Sequence, residues 1–439
     1  MRTGLWRIAL TMVLALASAS DLAAQDVRPP LPPPPMAAPD LPALDLYFEG
    51  YTEDAIHAFR KEIAEAPTPE AALESRAWLA EALRRQGQRQ ESAAYLAEAV
   101  EQSRRVIDAE PCHARALLTL GETYNPQHTL EWGGVSADSA WHYIRRATDC
   151  DPDDGNAWMA VWVEALNRGE RPLAETALRR MAETEFWTPS VLAYARWVLR
   201  EVPENALVLT NGDADTVPMQ ILRHVEGLRP DVAVVNVPLI GMPGVVREAA
   251  DRFDLPLPDS LNTFESRYDA RGSVEVWPDR RWFTLSDHVL AFWLAESEAG
   301  RLQRPVVAAH TVVDSAIDTK ATFRDFGAYR LAHAEPGAEV EAIRRSLDGI
   351  RGDDFSGPAA SPQDRSPVRH SSGPFALGPL FEYATLALDF ALSGSLDAAT
   401  ATLDEAEAFA RGAGVPNTPA MDYVRREIAT LAAETPTDR

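Results

Sequence analysis

Along residues 42–199, alanine, leucine and tryptophan return every three or four positions. That is the period of a helix that buries one face. Three of these stretches stop in the same way, at Glu65-Ala66-Pro67, Ala109-Glu110-Pro111 and Cys150-Asp151-Pro152. In each, an acidic residue precedes a proline that cannot continue the helix. Near residue 200 the pattern changes. Residues 206–210 and 232–237 are apolar almost throughout, as in strands buried on both faces of a parallel sheet. Between them, residues 217–228 put Val217, Ile221, Leu222 and Val225 on one helical face. Strand, helix and strand form a βαβ unit with a right-handed crossover. Further helices are expected at 245–253 and 286–299, the latter with Ser286 and Asp287 as cap candidates, and further strands at 273–277, 305–310 and 329–333. Residues 351–374 are rich in Gly, Ser, Pro and Asp and read as a flexible linker. Residues 375–436 return to helical hairpins, with turns at Gly394 and at 412–416. The expected fold is α plus α/β. An N-terminal helical-repeat region (42–199) precedes a mostly parallel, three-layer α/β domain (200–340), and C-terminal repeat helices follow.

The helical units share a finer pattern. Ala77-Trp78, Gly87 and Ala94 recur as Ala157-Trp158, Gly169 and Ala174. An aromatic lies on the first helix, a glycine at the turn and a small residue on the second helix. This arrangement resembles the tetratricopeptide repeat, whose unit is about 34 residues. The prolines here recur 44 and 41 residues apart, so insertions are implied, the clearest at 125–136. The resemblance implies a scaffold that binds a protein or peptide partner. In this register Cys112 opens the first helix of a unit and Cys150 ends its second. Those ends are neighbours in an antiparallel pair, so a Cys112–Cys150 disulfide closing a 38-residue separation is expected. The alternative is two buried free thiols.

The N-terminus bears on the redox setting. Arg2 and Arg7 precede a short apolar run at 8–16, and small residues at 17–19 and 22–24 suit cleavage. Residues 1–24 therefore read as a signal peptide, too short to span a bilayer permanently. The protein is expected to be exported, periplasmic or secreted, where disulfides persist, with no integral membrane segment after cleavage. Residues 25–41 contain RPPLPPPPMAAP, a stiff proline-rich linker.

Composition narrows the partners. The formal net charge is −24, which disfavours nucleic acid because phosphate binding needs a basic face. Lys61 and Lys320 are the only lysines, so lysine-based chemistry has two candidates.

The candidate chemistry lies where the first strand ends. In an open α/β sheet, ligands bind beyond the C-terminal strand ends, and the sequence there is Asn211-Gly212-Asp213-Ala214-Asp215-Thr216. Asp213 and Asp215 have the Asp-x-Asp spacing of hard oxygen ligands for a divalent cation. Asp215 or Thr216 could equally cap the following helix. His310, at the end of the third expected strand, would converge with Asp213 if that strand lies beside the first. The candidate ligand set is Asn211, Gly212, Asp213, Asp215, Thr216 and His310. No cofactor is required by the sequence; a divalent cation is the one this set could hold. The turn resembles both the metal site of nucleotide-sugar glycosyltransferases and the first motif of haloacid dehalogenase phosphatases, with Thr311, Lys320 and Asp353-Asp354 in the later order of the second family. Both patterns break, because the acids lie beyond an extra Thr210-Asn211-Gly212 and Asp353-Asp354 follows Arg351-Gly352.

A longer set of blocks occurs in order: Thr210-Asn211-Gly212-Asp213-Ala214-Asp215-Thr216, Glu226-Gly227-Leu228-Arg229-Pro230-Asp231-Val232, Val235-Asn236-Val237-Pro238-Leu239, Arg304-Pro305-Val306-Val307 and Tyr329-Arg330-Leu331. Together they resemble the soluble segment of the protein O-mannosyltransferase-like membrane family. The resemblance implies a soluble α/β module flanked by helical repeats. The transfer chemistry expected in that family's membrane half does not carry over, since no such half is present in the sequence. Two functions remain: an exported binding scaffold whose α/β domain takes a small ligand or metal at the turn, or a metal-dependent enzyme acting on a sugar or phosphate ester at Asp213 and Asp215.

Overall fold

In a computed structural model, residues 41–126, 133–259, 261, 273–276, 281–312, 317, 320–356, 377–415 and 419–434 are described. The expected signal peptide and nearly all of the proline-rich linker lie outside these residues, as does most of the expected 351–374 linker. Among the described residues no helix is long and apolar enough to cross a membrane. The protein is mostly helical, with one small mixed sheet, and divides into two compact units at Val161/Trp162.

In the first unit the helices are α1 (Ala43–Phe48), α2 (Thr52–Glu65), α3 (Leu73–Arg89), α4 (Ala93–Ala109), α5 (Ala114–Tyr124) and α6 (Ala137–Cys150). The three proline stops fall where expected: α2, α4 and α6 end at Glu65, Ala109 and Cys150. Small residues set the helix spacing. A Cβ on Gly87 would lie 2.8 Å from the Leu96 side chain, and one on Gly121 only 2.6 Å from Ile144 Cγ1. Gly87 therefore serves close packing of α3 on α4, inside α3, rather than the turn itself. Cys112 and Cys150 are joined, with Cα atoms 5.2 Å apart, so the start of the α5–α6 hairpin is tied to its end.

A buried charge cluster sits among these helices. Glu81 accepts two bonds from Arg84, each 2.7 Å, and one of 2.8 Å from Arg85. The Tyr47 hydroxyl on α1 and the Thr119 hydroxyl on α5 also reach this carboxylate, at 3.3 and 3.4 Å. Burial alone would push the Glu81 carboxyl up, but Arg84 and Arg85 outweigh it and hold it well below the usual carboxylate range. Beside the cluster, the Arg115 guanidinium lies 3.5 Å over the Trp78 ring.

Helix α7 (Gly155–Asn167) runs across the division between the units. The second unit then holds α8 (Arg171–Glu183), α9 (Pro189–Glu201), β1 (Leu207–Thr210), α10 (Asp213–His224), β2 (Ala233–Asn236) and α11 (Pro243–Phe253). Next come the hairpin β3 (Ser273–Val276) and β4 (Arg281–Thr284), α12 (Leu285–Glu298), β5 (Val306–Ala308), β6 (Phe323–Asp325), β7 (Arg330–Ala332) and α13 (Glu339–Leu347). The chain ends in α14 (Leu377–Leu392), α15 (Leu396–Ala413) and α16 (Pro419–Glu434).

The main sheet runs β2-β1-β5-β7-β6. β1 pairs in parallel with β2 and β5, whereas β7 pairs antiparallel with β5 and β6. The expectation of a mostly parallel sheet is thus corrected to a mixed one. The reason is local. β1 and β2 are joined through a helix, while β6 and β7 are joined by a short turn in which Phe326 N–H donates to Tyr329 O at 2.9 Å, a connection open only to antiparallel strands. β6 leaves no strand signal in the sequence, because its three residues are only half-buried.

Alternation along the strands divides the core. Val208, Val234 and Val307 enter one apolar cluster with residues of α9, α10 and α13–α16. Leu207, Leu209, Ala233, Val235, Val306 and Ala308 enter another with residues of α11 and α12. The C-terminal helices therefore share a core with the sheet. Part of the expected linker is built into that core: Gly352–Phe355 forms a short 3-10 turn, and the Phe355 ring packs 5.2 Å from Phe409. Helix α12 is capped by Thr284, with Asp287 completing a capping box.

Two outcomes follow for the first unit. Replacing both cysteines by serine removes a closed loop of 38 residues and is expected to cost about 3–4 kcal/mol in denaturant melts; equal midpoints for oxidised and reduced wild type would contradict it. Glu81→Ala strands a buried guanidinium and should cost on the order of 3–5 kcal/mol. Because the folded Glu81 value is depressed, its contribution is present above the ordinary value of 4.5 and drains as pH falls below it. The gap between wild type and Glu81→Gln in urea melts should therefore shrink below that pH.

Candidate functional site

The turn between β1 and α10 is built around one carboxylate. Helix α10 begins at Asp213, so Asp215 is its third residue and turns back toward the preceding backbone. Its Oδ1 accepts the Gly212 N–H at 2.8 Å and its Oδ2 accepts the Asn211 N–H at 2.9 Å. Thr311, just past β5, donates its hydroxyl to the same Oδ2. The carboxylate is 1% exposed. Burial pushes its pKa above the ordinary value, against the hydrogen bonds from Thr311, Asn211 and Gly212 that pull it down. Asp215 thus ties β1, α10 and the end of β5 together.

Thr216 and Asn236 complete the joint. The Thr216 hydroxyl lies 2.7 Å from that of Thr210 and donates to Gly212 O at 2.6 Å. Asn236 Nδ2 donates to Thr216 Oγ1 at 2.9 Å, and its Oδ1 accepts the Leu239 N–H at 2.9 Å. Side chains thereby close the ends of β1, β2 and α10.

The two acids of the Asp-x-Asp pair do not act as a pair. Asp213 is exposed and Asp215 buried. With the helix starting at Asp213, they stand at positions i and i+2, which do not share a helical face. The sheet order does place β5 beside β1, as the convergence of His310 with Asp213 requires. Yet Thr311 is the residue that reaches the turn. His310 Nε2 lies instead 2.7 Å from Gly327 O, 3.7 Å from Asp325 Oδ1 and 3.6 Å from Glu382 Oε1. Lys320 is bound to Asp287 at 3.0 Å. His224, expected in mid-helix, is the last residue of α10 and lies 3.3 Å from an Arg179 nitrogen.

The opposite end of the sheet accounts for a second sequence block without invoking chemistry. Gly227 and Arg229 both take positive φ, +68° and +48°, which glycine tolerates freely. The Arg229 guanidinium donates to Leu199 O, Val202 O and Pro203 O, each within 2.9 Å, closing the C-terminus of α9. Asp231 holds Arg229 from the other side and accepts the Asn205 N–H at 2.8 Å. Arg304 donates to Asp231 O and Phe253 O at 3.0 and 2.9 Å. The motif Gly227-x-Arg229-x-Asp231 is a clamp on backbone carbonyls.

A separate concavity of about 440 Å³ lies between the end of α7 and the start of α11, lined by Arg168, Arg171, Arg247, Glu248 and Asp251 among others. Two of its arginines are engaged by acids, Arg171 with Glu248 at 3.1 Å and Arg168 with Glu164 at 2.8 Å.

The family model described as TMEM260-associated domain 2 matches residues 191–275. That stretch carries the Asp215 joint and the Arg229–Asp231 clamp. No curated protein matches the chain.

Sequence reasoning does not single out Asp325 or Glu382. Asp325 ends a short, half-buried strand and belongs to no motif. Glu382 does leave a signal: it is a carboxylate on the buried face of α14, between Leu380 and Tyr383, where an apolar residue is the norm.

Removing the two acids of the turn should have unequal effects. Asp215→Ala leaves two half-buried backbone N–H groups and the Thr311 hydroxyl without that acceptor, and should cost about 1–3 kcal/mol. Asp213→Ala removes an exposed charge from the first helical turn, worth about 0.3–1 kcal/mol. Equal losses in thermal melts would contradict the assignment of Asp215 as the joint.

Proposed function

We propose that the protein is an exported, non-catalytic binding scaffold whose helical hairpins hold a protein or peptide partner in the manner of tetratricopeptide repeats. The sheet-containing unit is a structural module. The observation that carries this reading is the commitment of Asp215: both of its oxygens accept hydrogen bonds from the protein, and Asp213 stands on a different face of the helix. Asp215 is therefore spent on the fold and Asp213 stands apart from it, which speaks against the metal-dependent sugar or phosphate ester enzyme. The disulfide and the prolines that stop α2, α4 and α6 support a rigid hairpin array, and rigidity lowers the entropy lost on binding a partner.

Photo-crosslinkers placed one at a time at exposed positions of α2, α4 and α6, and at exposed control positions of α15, test the reading in the exporting cell. The expected outcome is one recurrent protein adduct from the hairpin positions, kept when Asp213 is changed to Ala. Hydrolysis of a sugar or phosphate ester by the purified chain, abolished by Asp213→Ala, would overturn it.

A further inference from the structure

We propose that His310, Asp325 and Glu382 form a binding site for one divalent transition cation such as Zn²⁺ or Mn²⁺. One candidate ligand atom from each of the three side chains lies within 4.8 Å of the others. They come from three separate elements: the segment after β5, the end of β6 and the middle of α14.

The spacing around His310 is that of a ligand set. His310 Nε2 faces three oxygens, Gly327 O at 2.7 Å, Glu382 Oε1 at 3.6 Å and Asp325 Oδ1 at 3.7 Å. At 2.7 Å the Gly327 carbonyl is the hydrogen-bond partner of that nitrogen. The two carboxylate oxygens lie beyond hydrogen-bond reach of that nitrogen. They stand instead near the spacing that ligands adopt around a shared cation. With metal–nitrogen and metal–oxygen distances of about 2.0–2.2 Å, neighbouring ligands of a tetrahedral ion are roughly 3.4 Å apart. One imidazole nitrogen and a set of oxygens suit zinc or manganese.

The electrostatics agree. Glu382 is 5% exposed, and a cation beside a buried carboxylate offsets its desolvation.

The turn that carries Asp325 is also fixed. Gly327 N–H donates to Asp325 Oδ1 at 3.0 Å, orienting the carboxylate. Gly327 takes φ +87°, and a Cβ there would meet Ser346 Cβ at 2.7 Å. Ser346 Oγ in turn accepts the Ala328 N–H at 3.1 Å. Outer contacts of this kind hold metal ligands in place and tune affinity by about 10–100-fold. Such an ion would pin the β6–β7 turn to α14.

The test is calorimetric titration of the full chain with Zn²⁺, after dialysis against a chelator. Wild type should bind one equivalent, with a matching rise in melting temperature. His310→Ala and Glu382→Gln should each weaken that event at least about tenfold, while His57→Ala, on an exposed histidine of α2, should leave it unchanged. Asp325→Asn, at a half-buried turn, gives the same reading if Glu382→Gln fails to fold by circular dichroism. Absence of binding to wild type, or binding kept by His310→Ala and Asp325→Asn, would overturn the proposal and leave His310 as a hydrogen-bonded structural residue.

Discussion

The sheet of the second unit depends on one buried carboxylate. Asp215, on the first turn of α10, is reached by two backbone N–H groups leaving β1 and by a hydroxyl beyond β5, and these donors converge on two oxygens. A carboxyl group so deeply buried is tolerated only because it is this fully hydrogen-bonded. The parallel neighbours of β1 meet there, so the joint fixes how β1, β5 and α10 come together. At the other end of the sheet, Arg229 and Asp231 do the reverse. A cation satisfies the free carbonyls at the end of α9, and the acid holds the cation. One end gathers donors on an anion, and the other gathers acceptors on a cation. Each uses a charged side chain to close backbone groups that a short strand or a helix end leaves open.

The helical unit solves a different problem with the same chemistry. Its hairpins pack through small residues such as Gly87 and Gly121, which bring backbones too close for larger side chains. The Glu81 cluster then supplies specificity within that tight packing. Tyr47, Arg84, Arg85 and Thr119 reach one carboxylate from three helices. A buried ionic cluster contributes less net stability than its contacts suggest, because desolvation offsets much of the attraction. Its geometric demand is strict all the same, since a shifted helix register would strand a buried charge.

What the sequence revealed depended on how local the cause was. The ends of α2, α4 and α6 were legible because each is set by a proline a residue or two beyond. The disulfide followed from those same ends. β1 and β2 were legible as continuous apolar runs, and His310 was marked as unusual by its place after one. The mixed character of the sheet was not legible, because β6, three half-buried residues, left no signal, and β7, expected at 329–333, was therefore read without its hairpin partner. Nor was the fate of the Asp-x-Asp pair, which turned on where α10 begins. A helix starting a few residues later would leave both acids in a loop, free to converge; starting at Asp213, it separates them.

That single boundary moves the interest of the molecule from the β1–α10 turn to the exit of β5. The strand leaves the sheet through Ala309, His310 and Thr311. Thr311 turns to the carboxyl that already holds two backbone donors, and His310 turns to a carbonyl and two carboxylates. Around Asp215 every contact is at hydrogen-bond distance. Around His310 only the Gly327 carbonyl is; the Asp325 and Glu382 oxygens stand off at 3.7 and 3.6 Å, near the spacing of ligands that share a cation. Acidic residues near a strand end are thus poor guides by themselves; the informative quantity is the spacing of the groups around them. By that measure Asp215 belongs to the fold, and the oxygens around His310 are where a ligand should be sought.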